Sequence, residues 1–315
     1  MASRPRIGIS ACLLGAPVRY NGGHKASRLC EGLREHLDFV PVCPETAIGL
    51  GTPRQPIRLV GDPAAPRAVG SRQPERDVTE ALSAYGERMA RELDDLCGFI
   101  FMQRSPSCGL SRVKVYQANG YPAEGGGSGV FAQAFRARHP DLPLEEEGRL
   151  HDPVLRENFI TRVYVYADWR EVGAQPLSRR AILDFHARHK YLLMASDPAA
   201  YRALGHLLGG IGRHDPARFG PMYFSRLMAA LGKCATRGTH SNVLQHLSGY
   251  LKRALGPEDR QEMNRLIDQY RDGVVPLVVP LTLLKHHFRL HPDAYVARQV
   301  YLQPHPETLS LRNAI

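Results

Sequence analysis

No apolar run in this sequence approaches the roughly 20 residues needed to span a bilayer, and the opening MASRPRIGIS lacks the apolar core of a secretory leader. Both absences point to a cytoplasmic protein with no membrane association. Cysteine is scarce. Six in 315 residues are too few for a disulfide framework, so in a reducing compartment the thiols are structural, catalytic or metal-bound. No CxxC pair occurs, and with it goes the usual spacing of a structural zinc site. Repeats of fixed period and long disordered segments are also missing. What remains is an ordinary globular composition, 43% hydrophobic and 23% charged, on a length that favours two domains.

Charge is unevenly spread. The net charge is +10, and from residue 166 onward 20 Lys and Arg stand against 12 Asp and Glu, with ten of the fourteen histidines. A basic half of this kind suits a polyanion, because clustered cations attract phosphate before any specific contact forms. Charge alone is equally compatible with a basic protein that has no such partner.

The first 165 residues alternate short β-branched runs with helical stretches. RIGIS (6–10), DFVPVC (38–43) and GFIFMQ (98–103) read as buried strands, and two short strands flank GDPAAP. RDVTEALSAYGERMARELDDLC has the apolar spacing of a long amphipathic helix, and VFAQAFRARHP that of a short one. This alternation predicts an α/β fold, a Rossmann-like parallel sheet with flanking helices. EEEGRLHDP reads as a polar stretch, and VLRENFITRVYVYADWREV as a helix closing the first domain, which gives boundaries of 1–168 and 169–315. Beyond GAQPL, successive segments bounded by Ser, Asp, Thr, Pro or Gly predict a mainly α-helical second domain. The tail VVPLVVPLTLLKHHFRLH is apolar but reads as broken by its prolines.

Three cysteines follow three predicted strands: Cys12 after IGIS, Cys43 after FVPV, and Cys108 a few residues after GFIFMQ. In a parallel sheet all strand C-termini lie at one edge, where such folds build their sites. Cys30, Cys97 and Cys234 lie elsewhere and read as packed structural thiols. The pattern leaves open three unrelated buried thiols, a zinc site, or an iron–sulfur cluster, which suits widely spaced thiolates better. Glu45 stands two residues after Cys43, and Ser105 three residues before Cys108. A carboxylate and a hydroxyl beside a metal suit general acid–base work, although a loop carboxylate and a turn serine are the plainer readings.

The stretches SACLLGAPVRYNGGHK, VCPETAIGLGTPRQPIRL and SPSCG together resemble the thiouracil desulfidase family. Residues 178–315 look like the helical companion domain found fused to this module, an arrangement similar to that of bacterial tRNA 4-thiouridine desulfidases. The resemblance implies that Cys12, Cys43 and Cys108 hold a 4Fe–4S cluster with one open iron. It also implies that Glu45 and Ser105 are catalytic. Asn21 departs from the family's commoner acidic residue, which touches only turn chemistry.

The implied reaction is a non-redox hydrolysis of a C–S bond. The thiocarbonyl sulfur binds the open iron as to a Lewis acid, Glu45 activates water, and Ser105 relays protons as hydrosulfide leaves. The implied substrate is thiolated uracil in tRNA, most simply 4-thiouridine. Free 2- or 4-thiouracil or thiouridine is the alternative, and a nucleic-acid-binding protein with a structural or sensing cluster is a reading of another class. Candidate RNA contacts in the second domain are Arg179, Arg180, Arg188, Lys190, Lys252 and Arg253, with Phe185, Tyr191 and Tyr250 as stacking aromatics or core residues. His186 and His189, three apart, are a weak second metal candidate beside a phosphate contact or a polar core position. Nothing in the pattern names a protein partner.

Overall fold

The computed structural model describes residues 4–315. They divide into two compact units, the first ending at His151 and the second beginning at Asp152.

In chain order the first unit runs β1 (Arg6–Ser10), α1 (Arg28–Gly32), β2 (Asp38–Val42), α2 (Pro44–Ala47), β3 (Ile57–Val60), β4 (Arg67–Gly70), α3 (Thr79–Glu92), β5 (Gly98–Phe101), β6 (Val115–Tyr116), α4 (Val130–Arg138) and β7 (Leu144–Glu146). The main sheet has strand order β2-β1-β5-β7, and every pair in it is parallel. A second sheet has the order β4-β3-β6. The parallel sheet with flanking helices is the predicted fold class.

On one face of the sheet Phe99 and Phe101 of β5 meet Phe131 and Phe135 of α4, while Ile7 and Ile9 of β1 point to the other face with Ile100, all fully buried. Phe99 stacks on Phe101 at 4.1 Å and meets Phe135 edge-on at 5.2 Å, the offset and T-shaped geometries aromatic rings prefer. Gly8, at the centre of β1, lets the Phe99 ring lie against the strand. A Cβ there would fall 2.2 Å from Phe99 Cδ2, and the stacked rings leave Phe99 no space to retreat. Gly8→Ala is therefore expected to destabilise the first unit by about 1–3 kcal/mol, the usual cost of overpacking. A denaturation midpoint unchanged from the parent would contradict this.

Strand β7 departs from the sequence reading. EEEGRLHDP was expected to be a polar stretch, yet Leu144–Glu146 adds a fourth parallel strand beside β5, and Glu145, Glu146 and Glu147 are all buried. Each carboxylate is satisfied. Glu145 Oε1 accepts from Arg149 at 2.8 Å, Glu146 Oε1 from the Leu110 amide at 2.9 Å, and Glu147 Oε1 from the Ser27 hydroxyl at 2.6 Å. Buried polar groups persist when hydrogen-bonded. A test based on apolar residues alone misses such a strand.

The second unit comprises α5 (Pro153–Gly173), α6 (Arg179–Ser196), α7 (Pro198–Gly209), α8 (Pro216–Leu231), α9 (Arg237–Ser248), α10 (Pro257–Arg271) and α11 (Val278–Leu290), the predicted helical half. Asp152, Asp197 and Asp215 each precede a proline. Each side chain caps its helix, as where Asp152 Oδ1 accepts from Val154 and Leu155 amides at 2.8 and 3.1 Å.

Two expectations differ from the structure here. The sequence reading gave α5 to the first domain, with a boundary at 168, whereas the division falls after His151. The reason is packing. Val165 of α5 belongs to the helical core, Trp169 stacks on Phe224 at 4.8 Å, and Asn158 Nδ2 donates to the Leu231 carbonyl at 2.8 Å. The tail expected to be broken by its prolines is helical from Val278 to Leu290, α11, with Pro276 before the helix. Pro280 sits in its first turn, where an amide has no intrahelical partner to lose. No helix among the described residues is long and apolar enough to cross a membrane.

Candidate active site

The three strand-following cysteines come together. Strands β2, β1 and β5 are neighbours in the sheet, and the chain leaves each at the same edge. Cys12 lies on the short 3-10 turn Ala11–Leu14 directly after β1. Cys43 is the residue that starts α2, directly after β2, and Cys108 lies on the loop after β5. All three line one cavity of about 370 Å3 with Glu45 and Ser105. Cys30 and Cys97 are buried away from it, and Cys234 belongs to the other unit.

Cys12 and Cys108 are buried and Cys43 is half-buried. Burial pushes the Cys12 thiol up to about 11, the nearby Cys43 adds to the rise, and Arg19 opposes it. Burial also raises Cys108 well above the ordinary thiol range, against a hydrogen bond with Ser10, while Glu45, Cys43 and Cys12 raise it further.

Among the described residues no three His, Cys, Asp or Glu side chains converge tightly enough to hold a single ion. Three soft donors spread round a cavity wall fit a multi-iron cluster, whose iron atoms are separate, better than one zinc ion. Cys12, Cys43 and Cys108 are the residues that would hold it. Arg19, Lys25 and Arg104 share the wall, and Glu45 is its single carboxylate among the described residues. That excess of cations suits an anionic centre.

Glu45 sits in the first turn of α2 and is held from two sides. Arg54 donates from Nε to Oε2 at 2.9 Å, with Nη2 2.8 Å from the same oxygen, and Ser107 Oγ donates to Oε1 at 2.8 Å. The Arg54 side chain is only 4% exposed. It is fixed in turn by donating to the Gly51 and Val18 carbonyls at 2.8 and 2.9 Å. A carboxylate has about four lone-pair sites, so Oε1 keeps one for a water. Ser107 is fully buried.

Ser105 does different work. Its Oγ accepts from the Ser107 and Cys108 amides at 3.2 and 3.1 Å, fixing the turn that carries Cys108 and leaving its own proton free. The hydroxyl that reaches Glu45 is that of Ser107. Asn21 serves its turn as expected, its Oδ1 accepting from the Gly23 amide at 3.1 Å.

Arg54 and Ser107 escaped the sequence reading. Ser107 stood inside the quoted SPSCG. Arg54 had a signal only in being the one cation of a Pro/Gly-rich loop, GLGTPRQP, near a candidate acid.

The family model for 2-thiouracil desulfurase matches residues 7–147, the segment that builds this cavity. These residues form a module of the 2-thiouracil desulfurase family. Residues 190–306 match a second family model, described as a protein of unknown function, DUF1722. The desulfurase-family module is thus fused to a helical domain, as the sequence resemblance implied. The uncharacterised protein YbgA of Escherichia coli is 31% identical over 159 residues, half of this chain and 94% of its own. The uncharacterised protein YbbK of Bacillus subtilis is 34% identical over 110 residues, 32% of this chain and 71% of its own. A solved [4Fe-4S]-dependent thiouracil desulfidase, TudS, is 32% identical and covers 47% of this chain and 94% of its own, at a TM-score of 0.37.

In the second unit, the expected RNA contacts separate. Phe185 and Tyr191 are core residues, Arg188 is paired with Asp168 at 2.8 Å, and the Lys190 ammonium lies over the Tyr191 and Tyr295 rings. Arg179, Arg180, Lys252, Arg253 and Tyr250 remain exposed. His189 is buried against Phe185, its Nδ1 on that residue's carbonyl at 2.8 Å, and His186 Nδ1 meets the Tyr223 hydroxyl at 3.0 Å. Burial depresses both to about 4. They are neutral packed histidines.

Proposed function

We propose that this protein is an iron–sulfur-dependent desulfidase that hydrolyses the C–S bond of thiolated uracil in tRNA, converting 4-thiouridine to uridine and hydrosulfide. The observation that carries the reading is the meeting of Cys12, Cys43 and Cys108 with the doubly held Glu45 on one cavity of the desulfurase-family module. The [4Fe-4S] dependence of TudS supports the choice of cluster. Bound through the three thiolates with one iron open, such a cluster supplies a thiophilic Lewis acid for the thiocarbonyl sulfur.

This chain's residues do the rest. Arg54 and Ser107 aim Glu45, whose free Oε1 lone pair takes a proton from water as its oxygen adds to the ring carbon. Ser105 gives its free hydroxyl proton to the departing sulfur and regains one from the added oxygen as the carbonyl forms, while the proton on Glu45 passes to solvent. Water supplies the carbonyl oxygen and both protons, sulfur leaves as hydrosulfide, and no electrons are exchanged. The tRNA part of the reading is supported by the basic second half and its exposed Arg179, Arg180, Lys252 and Arg253.

The test is anaerobic. Reconstituted protein and Cys108→Ala are incubated with 4-thiouridine-containing tRNA and, separately, free thiouracil, and the thiocarbonyl absorbance is followed. Loss on tRNA that requires Cys108 is expected. Loss confined to the free base would reassign the substrate. An intact cluster with no loss on either would leave only a binding protein.

A further inference from the structure

The motif RSPSCGLSRVKVY is only half explained by the cavity. Its first half supplies Ser105, Ser107 and Cys108. Its second half, Arg112–Tyr116, alternates: Val113 and Val115 are buried, Arg112 and Lys114 are exposed, and Tyr116 is half-buried. That period of two runs into β6, which pairs with β3 so that Leu59 lies beside Val115 and Val60 beside Tyr116. Ile57, Leu59, Val113 and Val115 share one buried cluster. The opposite face therefore carries Arg58, Lys114 and Tyr116.

This face lines a groove of about 770 Å3. Arg58, Arg104, Arg112 and Lys114 stand along it with Tyr116, and no carboxylate lines it among the described residues. Ile57, Arg104 and Pro106 line both groove and cavity, so the two are continuous. Among the described residues, none of the four cations is in an ion pair with a carboxylate, although seventeen such pairs with Lys or Arg occur among them. The Arg58 guanidinium lies over the Tyr116 ring at 5.5 Å, and its Nε is buried without a hydrogen-bond partner. Arg104 and Arg112 adopt left-handed backbone, φ 58° and 53°, a conformation uncommon outside glycine. The loop between them holds Cys108.

We infer that this groove is a track for the phosphodiester backbone of a single RNA strand, carrying nucleotides that flank the one whose base enters the cavity. The inference rests on the reading of the substrate as RNA. Four uncompensated cations in an extended groove suit several phosphates in a row, and an aromatic on the same face gives a base a surface to stack on. A base processed in the cavity must leave its stack, so its neighbours need support beside the opening. The track assigns that support to the catalytic module itself, separately from the basic helical unit.

The test uses the full-length reconstituted protein with Arg112→Asn and Lys114→Gln combined; Asn tolerates the left-handed backbone. Binding of unthiolated tRNA and of a short single-stranded RNA is read by fluorescence anisotropy across a salt series. Turnover is measured on thiolated tRNA, 4-thiouridine monophosphate and free thiouracil. RNA affinity is expected to fall about tenfold, with the salt slope shallower by about 1.4, at about 0.7 per lost contact on a single strand. Free thiouracil should be turned over at the parent rate. Unchanged RNA affinity in the variant would overturn the track while leaving a tRNA substrate standing. An equal loss on the mononucleotide would reduce the groove to one phosphate and overturn it too. Parent protein that binds no RNA yet desulfurates thiouracil would sink both the track and the tRNA reading. An equal loss on free thiouracil would make the residues structural and equally overturn the track.

Discussion

Glu45→Gln is expected to lower kcat for desulfuration by about 10²–10⁴-fold while the cluster stays bound. That is the range a positioned general base contributes. Gln keeps the shape, but its one carbonyl oxygen can accept from Ser107 Oγ or from Arg54 and not from both, and it cannot take a proton from water. The loss should fall on kcat, because no binding contact to the pyrimidine is removed. Cluster absorbance measured on the same sample separates a chemical defect from a vacated site. Ser107→Ala is the companion variant. It frees one carboxylate oxygen and leaves Arg54 in place, so a loss of about tenfold is expected, near the 1.5 kcal/mol lower end for a hydrogen bond to a charged group. Undiminished turnover in Glu45→Gln would remove Glu45 from the mechanism.

The two donors on Glu45 show how the cavity is assembled. Arg54 comes from the loop before β3, Ser107 from the loop after β5, and Glu45 from the turn after β2. Each loop also touches a candidate ligand: Val18, whose carbonyl takes Arg54 Nη2 at 2.9 Å, lies on the loop that follows Cys12, and the Ser105 hydroxyl holds the Cys108 amide. Ligand loops and the carboxylate are thus fastened to one another. Behind them the buried glutamates continue the pattern. Glu146 holds the Leu110 amide just beyond Cys108, and Glu147 holds Ser27, whose hydroxyl caps α1. Rigid supports of this kind set the precision of a site.

The five candidate site residues were legible because their signal is local and topological. A cysteine just past a β-branched run lands on the sheet edge whatever the rest of the chain does, and three runs in a parallel sheet share that edge. What escaped was whatever depends on distant partners. Arg54 is an unremarkable loop cation until Glu45, nine residues earlier, is seen against it. Strand β7 is three mostly charged residues, and only the amides and hydroxyls awaiting those carboxylates make it a strand. Helix α5 was misassigned because its amphipathic pattern says that it buries a face, not against what. Phe185 and Tyr191 could stack on bases, but aromatics at helical spacing are more often core residues, and both lie inside.

Arg312→Ala should destabilise the helical unit by about 3–5 kcal/mol, because it strands a buried charge. Glu157 and Arg312 side chains are only 11% and 9% exposed, and Arg312 Nε lies 3.1 Å from Glu157 Oε1 while Nη1 donates to the Tyr301 carbonyl at 2.5 Å. Burial alone would push the Glu157 carboxyl up, but His305 and Arg312 beside it bring it down to about 2 from an ordinary 4.5. A folded value below the unfolded one means that the carboxylate contributes its stability above pH about 4.5. The contribution is lost as pH falls from there through about 2. In the variant the guanidinium is gone and only His305, 3.6 Å from Glu157 Oε1, stays beside the carboxylate, since burial holds nearby His240 down to about 4. The chain has a single tryptophan, Trp169, stacked on Phe224 inside this unit, so its fluorescence follows unfolding of the helical unit alone. Paired replacement Glu157→Gln with Arg312→Met should cost far less than Arg312→Ala, because no uncompensated charge is left buried. Equal costs for the single and the double variant would show that packing, not the charge pair, is what Arg312 contributes.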